Sequence, residues 1–117
     1  MTEFEMKQRT KAFALRVIKL ASSLAKDPVG RRLGDQLLRA GTSLAANYRA
    51  ACRGRSKADF VNKLGIAEEE ADESAFWVEL LIESALVTKQ RLEPLLKEAN
   101  ELTAIIVASR MTSSRNS

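Results

Sequence analysis

The sequence predicts an all-α protein, an antiparallel bundle of four helices that run up-down-up-down in one domain of 117 residues. Apolar residues recur at three- and four-residue intervals in four successive segments, and no segment alternates with the period of a strand. Aromatic residues make up only 5% of the chain, so Leu, Ile, Val and Ala must fill the core, which suits packing of helix on helix. Short breaks separate the segments, and short connections make neighbouring helices antiparallel.

The first predicted helix covers residues 2–25, and the second covers residues 28–53. In the first, Phe13, Val17 and Leu24 lie on one apolar face. Asp27 followed by Pro28 is typical of an N-cap with proline at the first helical position, and Gly54 is expected to end the second helix. The apolar stripe of the second helix comprises Leu33, Leu37, Ala40, Gly41, Leu44, Tyr48 and Ala51.

The third predicted helix covers residues 57–86, and the fourth covers residues 91–110. Ser56 and Asp59 resemble a capping box before the third helix, with Asp in place of the usual Glu or Gln. In the fourth helix the proline, Pro94, is expected in the first turn. Residues 111–117 are polar and are predicted to be a flexible tail.

The composition excludes several classes of protein. There is one cysteine and no histidine, so the chain can form no internal disulfide and lacks the common general base. We recognise no export signal and no apolar run near the roughly 18 residues of a membrane span, so we expect a cytoplasmic protein without a membrane partner. No phosphate loop, nucleotide fingerprint or zinc spacing occurs, so we expect no catalytic site, metal, cofactor or small-molecule substrate.

Charge is distributed unevenly along the chain, whose formal net charge is +4. Residues 31–63 contain eight basic and two acidic residues, whereas residues 64–101 contain three basic and ten acidic ones. Arg49, Arg53, Arg55 and Lys57 surround the predicted turn between helices two and three and could contact phosphates. Because no aromatic residue is interleaved with these cations, base-specific recognition is not expected, and a solvated charged turn is the alternative.

The acidic run of residues 68–73 offers another use for the same cations. If it faced the basic turn of a neighbouring subunit, the two blocks would pair across a head-to-tail interface of the kind that closes a ring. Assembly and nucleic-acid binding would then compete for Arg49 and Arg53. Assembly of this kind is expected to depend on salt concentration.

A polar ridge borders the apolar stripe of the second helix, in a stretch that also contains the weak helix formers Gly41 and Thr42. The ridge comprises Gln36, Arg39, Ser43 and Asn47. Close helix contact at Gly41 with polar groups that fix register is the favoured interpretation. An anion site centred on Arg39 and an ordinary solvated face are the alternatives.

Some apolar residues lie off the main stripes and suggest a second contact surface. Trp77 is the principal candidate for an interface residue, together with Ile66, Phe76 and Ile105. A wide core stripe is the alternative, particularly for Ile105.

One set of positions within residues 34–81 is typical of a known family: Gln36, Arg39, Ala40, Ser43, Asn47, Arg55, Ser56, Phe60, Leu64, Ile66, Ala67, Glu70 and Glu73. Through these positions the chain resembles the four-helix-bundle family named after proteins encoded in intervening sequences of bacterial 23S ribosomal RNA genes. The chain is similar to the branch that reads Asn-Tyr-Arg, where many members read Asn-Ile-Ala-Glu-Gly, so Ala50 stands at the usual glutamate.

The resemblance implies a left-handed bundle that assembles into a ring, usually a homopentamer. It also implies a distant relation to accessory variability determinants of diversity-generating retroelements, which are basic pentameric bundles that bind nucleic acid and a reverse transcriptase. Two functions are therefore considered. One is a non-enzymatic oligomeric scaffold that binds structured RNA or DNA, and the other is a scaffold for protein partners without a nucleic-acid role.

Overall fold

Four α-helices in chain order account for the fold in the computed structural model, which describes residues 1–115. Their bounds are α1 Glu3–Ser23, α2 Pro28–Cys52, α3 Lys57–Glu83 and α4 Lys89–Arg115. Each helix packs along the next one in the chain, and α1 touches α4 only sparsely, in a rod of 47 × 20 × 19 Å. No strand occurs among residues 1–115, and the predicted all-α bundle is confirmed.

Side-chain caps fix where the first three helices begin. The side chains of Thr2, Asp27 and Ser56 each accept a backbone N–H from the first turn of their helix. The Asp59 carboxylate receives the N–H of Arg55 at 3.1 Å, whereas a capping box would use the N–H of Ser56. The short Asp side chain therefore ties the loop, as well as the helix, to the start of α3.

Gly54 follows α2 as predicted, but its backbone is not in the left-handed region. A Cβ at this position would lie 3.0 Å from the Ala51 carbonyl oxygen and 3.1 Å from the Phe60 nitrogen. Glycine is therefore required here because the loop backbone passes directly against the first turn of α3. Glycine is favoured here because it has no side chain, and not because its φ angle is unusual.

The fourth helix is longer at both ends than predicted. It begins two residues early because Thr88 accepts N–H groups from Arg91 and Leu92, through its side chain and its carbonyl respectively, so Pro94 lies in the second turn rather than the first. Its other end extends to Arg115, so most of the predicted tail is helical. Arg110 donates to Glu68 of α3 at 2.6 Å, which holds this end against its neighbour. The last part of the predicted tail, residues 116–117, lies outside the described residues.

The close contact predicted for Gly41 occurs between α1 and α2 of the same chain. A Cβ on Gly41 would lie 3.1–3.3 Å from three atoms of Val17, whose side chain is fully buried. Such a distance is shorter than ordinary van der Waals contact, so the two helices approach over a missing side chain. The weak helix former is therefore placed where helix packing requires it.

Candidate nucleic-acid interface

The basic residues predicted near the α2–α3 connection are all exposed, but they do not share one surface. Arg49 and Arg53 lie in the last turn of α2 and at its C-cap, and Arg55 lies in the loop. Lys57 lines a separate depression with Asn62 and Ser114, on the side that faces α4. The structure therefore brings three of the four predicted phosphate-binding residues together and places Lys57 apart from them.

Two lysines of α1 join this surface and were missed by the sequence reasoning. Lys7 and Lys11 line an open groove of about 390 Å³ between α1 and α2, opposite Arg49 and Arg53. Because α1 and α2 are antiparallel, the first turns of α1 lie beside the last turns of α2. The antiparallel order of the helices therefore predicts that any cation near the start of α1 lies close to Arg49 and Arg53. We call Lys7, Lys11, Arg49, Arg53 and Arg55 the basic face.

The groove also contains an aromatic side chain. Phe4 lies in the first turn of α1, is 66% exposed and lines the groove with Lys7 and Arg49. No aromatic residue is interleaved with the cations between Arg49 and Lys57 in sequence, but Phe4 reaches the same groove from α1. Phe4 stands far from Arg49 in sequence, and only the packing of α1 on α2 places them together.

Most cations of the basic face lack a carboxylate partner. Lys7, Lys11, Arg49 and Arg53 form no ion pair with any carboxylate of residues 1–115. The carboxylates at this end of the bundle include Glu3, which neighbours Cys52, and Asp59, whose pKa is lowered first by the Arg55 backbone N–H and then by Lys63, 3.0 Å away. Asp59 thus offsets Lys63, and the charge of the basic face stays largely available to an anion.

The one cysteine, Cys52, lies beside the basic face but packs against the core. Burial raises the pKa of the Cys52 thiol, and the neighbouring Glu3 carboxylate acts in the same direction. The thiol is half-buried at the end of α2, against the core. Since the thiolate is the reactive form, Cys52 is a packing residue here rather than an activated nucleophile.

The polar ridge of α2 splits into two parts in the structure. Arg39 pairs with Glu73 and Glu70 of α3 and also donates to Gln36 on its own helix. The Glu73 carboxylate in turn accepts the indole N–H of Trp77 at 2.9 Å. One carboxylate therefore joins an arginine and a tryptophan across the α2–α3 interface.

Ser43 and Asn47 form the other part of the ridge, within α2. The Asn47 amide donates to the Ser43 carbonyl oxygen at 2.9 Å and to its hydroxyl at 3.1 Å. The hydrogen bonds that the structure gives Ser43 and Asn47 are thus local to one helix. The anion-site alternative is weakened, because the charge of Arg39 is already neutralised by α3.

Some carboxylates of the acidic run of α3 form ion pairs within the chain. Glu68 accepts from Arg110, and Glu70 and Glu73 serve Arg39, whereas Glu69 and Asp72 are exposed. Burial raises the pKa of Glu70, while Arg39 opposes that shift. Only the outward-pointing acids of this run are left for contacts beyond the chain.

The same outer side of α3 carries exposed apolar residues. Phe76 is 50% and Ile66 is 39% exposed, whereas Trp77 and Ile105 are half-buried and pack against the core. Phe76 stacks edge-on against Trp77, with ring centroids 5.1 Å apart. Of the residues predicted for a second contact surface, Phe76 and Ile66 are therefore the ones available to a partner. Trp77 lies between Phe76 and the core.

Residues 1–115 contain neither a cluster of metal ligands nor a helix suited to a membrane. No group of three or more His, Cys, Asp or Glu residues in that range is arranged to hold a metal ion. Over the same residues, no helix combines the length and the apolar character needed to cross a membrane.

Comparison with known proteins gives a family and a fold. The family described as "23S rRNA-intervening sequence protein" matches residues 2–108. A crystal structure from Bacteroides thetaiotaomicron VPI-5482, of a protein with unknown function from the S23 ribosomal protein family, is 33% identical with a TM-score of 0.88. The match covers 95% of this chain and 99% of that one. A search of the curated proteins found no match to this chain. Neither description names an enzymatic activity.

Proposed function

This chain belongs to the family of 23S rRNA-intervening sequence proteins, and we propose that it is a non-enzymatic helical scaffold that self-assembles and binds structured RNA or DNA through its basic face. The proposal continues what the family resemblance implies. The observation that carries it is the convergence of Lys7, Lys11, Arg49 and Arg53 on one groove without carboxylate partners.

Phosphate contacts account best for that arrangement. Arginine and lysine side chains supply most of the hydrogen bonds to nucleic-acid phosphates, and each neutralised phosphate releases condensed counterions. Unpaired cations close together on one surface raise the free energy of the folded chain through mutual repulsion. A polyanion removes that repulsion on binding, so the basic face is suited to a phosphate backbone.

Self-assembly is supported by the outer surface of α3. Exposed Phe76 and Ile66 lie on the same helix as the exposed carboxylates Glu69 and Asp72. Glu69 and Asp72 lie between Ile66 and Phe76 along the helix, so this surface combines apolar and charged groups, as protein interfaces do. Pairing this surface with the basic turn of a second copy would be heterologous, which leads to a closed ring, and the family resemblance implies a pentamer.

The experiment compares two double variants that remove equal charge. Arg49→Gln with Arg53→Gln lies in the basic face, whereas Arg31→Gln with Arg32→Gln lies at the exposed start of α2, at its other end. Binding of a labelled RNA hairpin is measured by fluorescence anisotropy over a series of salt concentrations. The first variant should reduce the slope of log affinity against log salt by about 1 to 2, and the second should change it little.

Equal salt slopes for wild type and the Arg49 and Arg53 variant would contradict the nucleic-acid proposal. The alternative function, a scaffold for protein partners, is favoured by the exposed apolar pair on α3. Under that alternative, binding of a partner survives neutralisation of the basic face and is lost when Phe76 is replaced by a polar residue.

A further inference from the structure

An exposed phenylalanine among unpaired cations is the most unusual feature of the α1–α2 groove. Phe4 is 66% exposed, whereas Phe13, nine positions further along the same helix, is 1% exposed and lies in the core. Phe4 is not among the residues that form or pack against that core. Exposing so large an apolar ring costs free energy unless a ligand covers it.

The groove has the size and the chemistry to hold one nucleobase. Its volume of about 390 Å³ lies within the range of small-molecule sites, and its α2 wall includes the small side chains Ala45 and Ala46. Gln8 lines the groove one helical turn after Phe4, on the same face of α1. An amide can both donate to and accept from the edge of a base.

The cations lie where the phosphates on either side of that base would run. Lys7 and Lys11 stand on the α1 wall, and Arg49 and Arg53 stand on the α2 wall. Proteins that bind single strands combine a positive groove for the backbone with aromatic rings on which bases stack. Bases inside a duplex are already stacked on their neighbours, so only an unpaired base can lie on Phe4.

We propose that the α1–α2 groove captures an unpaired nucleotide of a single-stranded segment of RNA or DNA. Its base stacks on Phe4, its edge bonds to Gln8, and its flanking phosphates lie on Lys7, Lys11, Arg49 and Arg53. This inference rests on the proposed function and narrows it from nucleic acid in general to strands with unstacked bases, such as loops, bulges and ends.

The test uses Phe4→Leu, which keeps an apolar side chain and removes the aromatic ring. Val29→Ala is the control, because it shortens an apolar side chain that is 57% exposed at the start of α2, outside the groove. Labelled oligouridylate, oligothymidylate and a fully paired, blunt-ended duplex are titrated with each protein by anisotropy. Phe4→Leu should weaken binding of both single strands about tenfold and leave binding of the duplex unchanged, and Val29→Ala should alter none of them.

A second variant reports stacking directly. Phe4→Trp places an indole in the groove of a protein whose only other tryptophan is Trp77. Its fluorescence should be quenched by oligouridylate more than that of the wild type. Circular dichroism of each variant should show unchanged helicity, because the Phe4 side chain is exposed in the first turn of α1.

The outcomes separate this inference from the proposed function. If Phe4→Leu binds single strands as the wild type does while Arg49→Gln with Arg53→Gln binds weakly, base capture is overturned and the basic face stands. If the wild type binds neither single strands nor the duplex at low salt, both proposals fail.

Discussion

Ala85 adopts φ = 62° just after α3 ends, a conformation that L-residues other than Asn and Asp rarely take. Its N–H donates to the Ile82 carbonyl at 3.0 Å, and the N–H of Val87 reaches the Leu81 carbonyl at 3.3 Å. The first bond is the inner bond of a Schellman turn, in which the left-handed position is usually glycine, whereas the outer bond comes from Val87 in place of Leu86. The backbone strain at Ala85 accompanies the reversal of the chain between α3 and α4.

Replacing Ala85 with Gly should therefore stabilise the fold. The left-handed conformation costs an L-residue about 1 kcal/mol that glycine does not incur, so the free energy of unfolding should rise by about that amount. Chemical denaturation of the purified variant measures it. The control is Ala104→Gly, an exposed alanine inside α4, which should lower the free energy of unfolding by about 1 kcal/mol. A loss of stability in Ala85→Gly would contradict this account.

Two contacts between helices depend on single residues, one on a glycine and one on an arginine. Gly41 allows α1 and α2 to approach over Val17, and the Arg9 guanidinium joins α1 to α4. Arg9 donates two hydrogen bonds of 2.7 Å to Glu98 and a third of 3.1 Å to Glu101. Because α1 and α4 have little other contact, this cluster closes the bundle.

Adding one methyl group at Gly41 should destabilise the α1–α2 interface. Gly41→Ala gains helix propensity but forces the buried Val17 side chain to move, so we expect a net loss of about 1 kcal/mol. Combining it with Val17→Ala should cancel that loss in a double-mutant cycle. Gly65→Ala is the control, because its Cβ would meet only the Arg110 side chain at 3.8 Å and should stabilise α3. Independent effects of Gly41→Ala and Val17→Ala would disprove the contact.

Acid should weaken the contact between α1 and α4. Hydrogen bonds from Arg9 lower the pKa of Glu98 in the folded chain from an ordinary value of 4.5. As the pH falls, the unfolded chain therefore binds this proton first, and the stabilisation present above pH 4.5 is lost as the pH falls through the folded pKa. The raised pKa of Glu70 acts in the opposite direction.

Unfolding curves at a series of pH values test this with Glu98→Gln. The variant should lose about 1 kcal/mol near neutral pH and show a shallower decline below pH 4.5 than the wild type. Glu93→Gln, which removes an exposed carboxylate of α4 that forms no ion pair within residues 1–115, should leave the decline unchanged. Parallel curves for wild type and Glu98→Gln would rule out this source of acid sensitivity.

At the scale of the whole molecule, a basic and an acidic surface lie on different parts of the bundle. The basic face lies where α1, α2 and the following loop meet, and exposed Phe76, Ile66, Glu69 and Asp72 lie on the outside of α3. A molecule with two different complementary surfaces can bind a second copy head to tail. Nucleic acid and a neighbouring subunit would then share part of the basic face.

Phe76→Ser should reduce the mass of the assembly without unfolding the chain. The substitution removes an exposed apolar ring from the proposed interface, so light scattering should detect fewer subunits, and rising salt should lower the wild-type mass as well. Leu15→Ser, which changes a residue that is 61% exposed on α1, is the control and should retain the wild-type mass. A wild-type protein that is monomeric at low salt would contradict self-assembly.

The positions of the elements follow from local signals in the sequence. Apolar periodicity, the caps at Asp27 and Ser56, and the turn at Gly54 all act within a few residues, so they predict four helices and their order. The longer α4 escaped prediction because Thr88 is a weak cap in sequence and Arg110 is anchored by a distant carboxylate. Polar residues near the end of a chain indicate fraying only when no such partner is known.

The candidate site was only partly predictable. By itself the sequence determined an all-α bundle with a basic segment at the α2–α3 connection, because period, capping and charge order are properties of neighbouring residues. Only the tertiary structure decided that Lys57 turns away, that Lys7 and Lys11 join Arg49, and that Phe4 lies among them. The rotation of each helix about its axis depends on core packing across all four helices, and that rotation decides which distant side chains share a groove.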